Sequence, residues 1–144
     1  MPTLADLTLA EIDQLEAGAE MDALVAEALG SVRPRTKTEF LALPAHEREH
    51  WISTPTPPYS TAIKSAKAAA DAMCKQYGVG SDVKYSPSFP NEWAASFWGG
   101  QLSMLDTDKQ VDTWEQTWAT GRTEELARCR ATLKLAVVMR GNKP

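Results

Sequence analysis

Apolar positions along the chain follow two rhythms. Near both ends and through the middle they recur every three or four residues; between about 79 and 105 they alternate. The clearest helical stretch carries Ile63, Ala66, Ala70, Met73 and Tyr77 on one side, with Lys64, Lys67, Asp71 and Lys75 mostly elsewhere. Pro57 and Pro58 hold its entry extended, Ser60 is placed to cap its first turn, and Gly78 stands where a helix stops. Its alanines allow close approach of a neighbouring element, so the rest of the chain is expected to be organised around it. A well-capped core helix is the plain reading of this stretch; a direct ligand role for Tyr59 or Ser60 is the other.

Further helices flank it. Thr8-Leu9-Ala10-Glu11 has the form of a capping box, with Leu7 and Ile12 as its hydrophobic staple. Met21, Leu24, Val25, Ala28 and Leu29 make an apolar stripe that ends at Gly30. Arg122 to Arg140 reads as the last helix, with Thr123 as its cap, Glu124 and Glu125 at the positive end of the dipole, and Leu126, Cys129, Leu133, Ala136 and Val137 buried.

The alternating region predicts strands at Val83–Tyr85 and Glu92–Trp98. Gly99-Gly100 then signals a hairpin into Gln101–Leu105. Residues 106–120 fit a helix through Val111, Trp114 and Trp118, although their Trp and Thr content also suits a twisted strand. Residues 31–56 are interrupted by prolines and form an excursion with one helical fragment near Glu39–Trp51. The whole is expected to be one α/β (α+β) sandwich domain over 1–144, with helices packed on a short antiparallel sheet.

Composition narrows the function. The chain has 144 residues, 43% of them apolar, and 15 basic against 19 acidic residues give a net charge of −4 with the signs interspersed. That argues against a binder of nucleic-acid polymers, which would show a basic stripe. No apolar run is long enough for a membrane span, and the N-terminus lacks the basic and apolar regions of a signal peptide, so a cytoplasmic protein is expected. Cys74 and Cys129 lack metal-type spacing and are expected as packed, reduced thiols. No cofactor motif is present.

Candidate chemistry rests on a few side chains. His46-Glu47-Arg48-Glu49-His50 matches H-E-x-x-H, which on a helix puts two zinc ligands on one face. Pro44 just before it, the absence of a third histidine and its place in the excursion favour a solvated charged turn instead. Arg130 falls between Leu126, Leu133 and Val137 in an apolar stripe, whereas Arg128 is expected to point away. A buried guanidinium needs a partner, either a carboxylate such as Asp22 or Glu27 or the phosphate of a ligand. Trp93, Phe97, Trp98, Trp114 and Trp118 offer flat surfaces for stacking on a base or for an oligomer interface. Trp93 and Phe97 share one strand face with Ala95, while Trp98 takes the other.

Several of these stretches resemble a known family. Gly18-Ala19-Glu20-Met21-Asp22-Ala23-Leu24-Val25-Ala26-Glu27, Pro57-Pro58-Tyr59-Ser60-Thr61-Ala62-Ile63, Trp93-Ala94-Ala95-Ser96-Phe97 and Ala127-Arg128-Cys129-Arg130-Ala131-Thr132-Leu133 are similar, in order, to the phage α-β-α sandwich family of small bacteriophage and prophage proteins. The resemblance covers about half the chain; residues 31–54 and 106–120 are extra to it. It implies a phage-encoded accessory protein acting in the host cytoplasm. A fainter likeness to the Thoeris anti-defence proteins implies a non-enzymatic oligomeric sponge that sequesters a cyclic nucleotide or ADP-ribose-type immune signal. On that reading Trp93, Phe97, Trp98 and Tyr59 contact the ligand and Arg130 or Arg122 pairs its phosphates. A protein that binds a host protein through its aromatic surface is the alternative; a metal-dependent hydrolase through His46 and His50 is a third.

Overall fold

A C-terminal helix, α6 (Glu124–Met139), is buried nearly all round and occupies the centre of the molecule. In the computed structural model the described residues are 3–30, 36–53, 56–86, 92–99 and 116–140. They form six α-helices packed with a three-stranded antiparallel sheet, an α+β fold of the expected class. The centre differs from the sequence expectation. The alanine-rich helix α5 (Ile63–Tyr77) lies beside α6 and buries only Ala66, Ala69, Ala70 and Met73. The stretch of α6 from Ala131 to Val137 is buried at every position, so it lacks the one-sided stripe of a surface helix.

On one side of α6 lie α1 (Leu9–Ile12) and α2 (Ala19–Ala28), preceded by a 3-10 turn at Leu4–Asp6. The Thr8 capping box forms: the Glu11 N–H donates to Thr8 Oγ1 and the Thr8 N–H to Glu11 Oε1, both at 3.2 Å. Leu7 and Ile12 are buried as the staple requires, and Met21, Leu24, Val25 and Ala28 of α2 all enter the core. Thr123 caps α6 through the Leu126 N–H at 3.1 Å, and Gly78 ends α5 in the left-handed conformation at φ 61°.

Ser60 has a different role from the one expected. The N-cap of α5 is Ala62, and the buried Ser60 reaches back to α2. Its backbone N–H and its hydroxyl both donate to Asp22 Oδ1 at 2.7 Å, while the Gly18 N–H donates to the hydroxyl at 2.9 Å. Thus the proline-tyrosine-serine stretch secures the start of α2 rather than the start of α5.

The sheet packs on the other side of α6 in the order β1 (Gly80–Ser86), β2 (Glu92–Trp98), β3 (Ala119–Gly121). Strands β1 and β2 pair from Gly80↔Trp98 to Ser86↔Glu92, and β2 pairs with β3 from Trp93↔Gly121 to Ala95↔Ala119. The third described strand is thus Ala119–Gly121; the expected strand Gln101–Leu105 lies outside the described residues, as does all of 106–115. The expected helix at the end of that segment is corrected: it gives way to a strand after Thr117. Gly121 brings β3 against the start of α6, where a Cβ would stand 2.8 Å from the Ala127 nitrogen.

Two cations of α6 cover the outer edge of β3. Arg130 Nη1 donates to the Thr120 carbonyl and Lys134 Nζ to the Trp118 carbonyl, both at 2.7 Å. One helical turn separates the donors and two strand residues separate the acceptors, so helix and strand periodicities coincide. Unpaired carbonyls on a sheet edge invite a further strand, and these two are occupied.

The excursion contains two helices, α3 (Lys37–Leu41) and α4 (Ala45–Ser53), separated around Pro44. Neither buries a residue.

Candidate functional site

Side chains alternate across a strand, so the sheet has two unlike faces. Val83, Ala95, Phe97 and Ala119 face α5 and α6 within the core. The opposite face carries Asp82 and Lys84 on β1, Ala94, Ser96 and Trp98 on β2, and Trp118 just before β3. These six residues line a cavity of about 340 Å³. That is at the small end of the range of small-molecule sites, about 300–1,000 Å³.

The register orders the lining into rows. Asp82 stands opposite Ser96, and Ala95↔Ala119 places Trp118 beside Ser96 on the far side; Lys84 stands opposite Ala94 one step along. Neighbouring strands lie about 4.8 Å apart, so Asp82 and Trp118 frame a floor roughly 10 Å across. That floor is a methyl group and a small hydroxyl. Among the described residues its walls are one carboxylate, one ammonium and two indoles, Trp98 at 49% and Trp118 at 42% exposure.

Backbone contacts fix both tryptophans. The six-membered ring of Trp98 lies over Gly80, where a Cβ would meet Cζ2 at 2.5 Å and Cε2 at 2.7 Å. Only glycine opposite Trp98 lets the indole lie down on β1. Trp118 is held through its carbonyl by Lys134, which also pairs with Asp13 at 2.7 Å. Next to it the buried Thr117 hydroxyl accepts the Phe97 N–H at 2.9 Å and donates to the Phe97 carbonyl at 3.1 Å, replacing a strand neighbour at the end of β2.

Of the residues singled out from sequence, Trp98 and Trp118 stand in this cavity, and Trp114 lies outside the described residues. Phe97 is a core side chain, 2% exposed on the helix-facing side, and cannot serve as a surface platform. Trp93 packs on the edge of the core against Tyr85, ring centroids 5.0 Å apart. Tyr59 also packs against the core, and burial, then Asp22 and Cys129, push its hydroxyl pKa upward. Arg122 is largely exposed and pairs with Glu16 at 3.7 Å. Arg130 corrects the pairing expected for it. Its Nε and Nη2 donate to the Leu15 carbonyl at 3.1 and 2.8 Å and its Nη1 to Thr120, so backbone carbonyls take the place of Asp22 or Glu27. Arg128 does not point away either; it is half-buried and pairs with Glu124 at 2.7 Å. Asp82 and Lys84 drew no notice in the sequence, although alternation along β1 paired against Trp98 marks their face.

His46 and His50 lie one turn apart on α4, inside the helical fragment expected near Glu39–Trp51 and exposed as a solvated charged segment would be, with the His50 ring packed edge-on to Trp51 at 4.8 Å. Among the described residues no group of three or more His, Cys, Asp or Glu side chains converges to hold a metal ion. Cys74 and Cys129 are free thiols; burial pushes Cys129 up to about 12, with Asp22 and Glu125 adding to it, and burial also raises Cys74. No helix of the described residues is long and apolar enough to cross a membrane. Comparison with protein-family models, with curated proteins and with solved structures finds no match for this chain.

Proposed function

We propose that this chain is a binding protein that holds a flat, anionic ligand of the nucleotide type on the open face of its sheet. One observation carries the reading: two exposed indoles flank a small-residue floor that also presents Lys84 and Asp82. Base–indole stacking is worth about 1–3 kcal/mol per base and tolerates any π-face. Lys84 supplies the point charge for a phosphate. Lys84 replaces Arg130 and Arg122 in that role, since those two guanidiniums are engaged with the Leu15 and Thr120 carbonyls and with Glu16. The family resemblance extends the proposal to an oligomeric phage sponge that sequesters a cyclic nucleotide or ADP-ribose-type immune signal without cleaving it.

The test incubates the protein with cyclic nucleotides, mononucleotides and ADP-ribose derivatives, filters it, and analyses the unbound fraction before and after heating the retained protein. A compound that disappears and returns intact on heating supports the proposal; one that returns as a product makes the chain an enzyme. If the panel is left undepleted, the second reading moves first: a host-protein contact through Trp98 and Trp118, both about half exposed on the same sheet face.

A further inference from the structure

The lining of the open face also distinguishes among bases, and this inference rests on the nucleotide-binding reading above. Asp82 on β1 lines the same cavity as Trp98 and Trp118, with Ser96 as its cross-strand partner. An ionised carboxylate has only acceptors, so the ring edge that meets it must present donors. Guanine carries two adjacent ones, N1–H and the N2 amino group, spaced to meet both carboxylate oxygens side by side. Adenine places a ring-nitrogen acceptor on either side of its amino group. Uracil flanks its one ring N–H with two carbonyls, and cytosine sets its amino group beside an acceptor. Each of these three turns at least one lone pair towards Asp82.

We propose that the site selects guanine nucleotides, with Asp82 reading the base edge, Trp98 and Trp118 supplying the stacking surfaces, and Lys84 meeting the phosphate. Lys84 is two residues from Asp82 on the same strand face, opposite Ala94. It therefore lies about 7 Å along the strand from the base-reading group, a distance compatible with a base at one and a phosphate at the other. Asp82 is exposed, so water competes for it, and the discrimination belongs at the low end of what charged hydrogen bonds give.

The experiment titrates the full chain with GMP, IMP and AMP by calorimetry, using wild type and Asp82→Asn. GMP is expected to bind about tenfold tighter than AMP, with IMP, which lacks the amino group, between them. An asparagine amide offers one donor and one acceptor and pairs with adenine, so Asp82→Asn is expected to shift the GMP-to-AMP ratio towards AMP. Equal affinity for GMP and AMP in the wild type, or an unchanged ratio in Asp82→Asn, overturns the selectivity while leaving nucleotide binding in place. No binding of any of the three overturns both. Thermal unfolding of the variant at the wild-type temperature confirms that its readings come from folded protein.

Discussion

Trp98 lies on Gly80, its cross-strand partner, so closely that no other residue at position 80 leaves the indole where it is. Gly80→Ala should tilt the ring off β1 rather than unfold the protein, because Trp98 is half exposed and not part of the core. Nucleotide affinity is expected to fall about tenfold, the scale of one lost stacking contact. The indole N–H resonance of Trp98, assigned with Trp98→Phe, should move while the unfolding midpoint stays within a few degrees. Undiminished affinity would show that this indole takes no part in binding.

Ser60 joins two segments that are distant in the chain. Ser60→Ala removes the acceptor of the Gly18 N–H and one of the two donors to Asp22. The expected loss is about 1–3 kcal/mol, read from the urea midpoint at unchanged slope. Nucleotide affinity measured on the folded variant should be unaffected, because Ser60 lies outside the cavity lining.

Arg130→Met keeps the packed stem and removes the guanidinium, leaving the Leu15 and Thr120 carbonyls short of a donor. A destabilisation of about 2 kcal/mol is expected, again from urea unfolding. An unchanged midpoint together with abolished nucleotide binding would return Arg130 to the ligand role suggested by sequence.

The buried thiol sets an alkaline limit. Cys129 titrates at about 12 in the folded chain and near 9 when solvated, so between those values the unfolded state has lost more protons than the folded one. Stability from this group is fully present below pH 9 and is lost as pH rises towards 12. Tyr59 and Cys74, both shifted upward, act in the same direction. Cys129→Ala should flatten the fall in unfolding free energy between pH 9 and 11. In native protein at pH 8, Cys129 should resist a thiol reagent that labels it fully in denaturant.

Local signals were legible in the sequence, and tertiary ones were not. The Thr8–Glu11 box, the Thr123 cap and the Gly78 stop are decided within four residues, and all three form as expected. Strand β3 was set second to a helix because, of Ala-Thr-Gly, only the threonine favours a strand. It is a strand because β2 pairs with one edge while Arg130 and Lys134 cover the other. The same long range explains Ser60, whose partners are 38 and 42 residues away. Alternation correctly separated Trp98 from Trp93 and Phe97, yet it could not say which side was the core. The answer came from α6, whose stripe Leu126, Cys129, Leu133, Ala136 and Val137 was legible but whose burial at every position from Ala131 to Val137 was not.

The central place of α6 also bears on how the protein is made. Ribosomes deliver the N-terminal end first, at about 5–20 residues per second. The sheet, α5 and α2 all emerge before the helix that they pack against. Until residue 137 clears the exit tunnel, Met21, Leu24, Met73 and Phe97 lack their main apolar partner. Folding of this core is thus expected to wait until α6 has emerged.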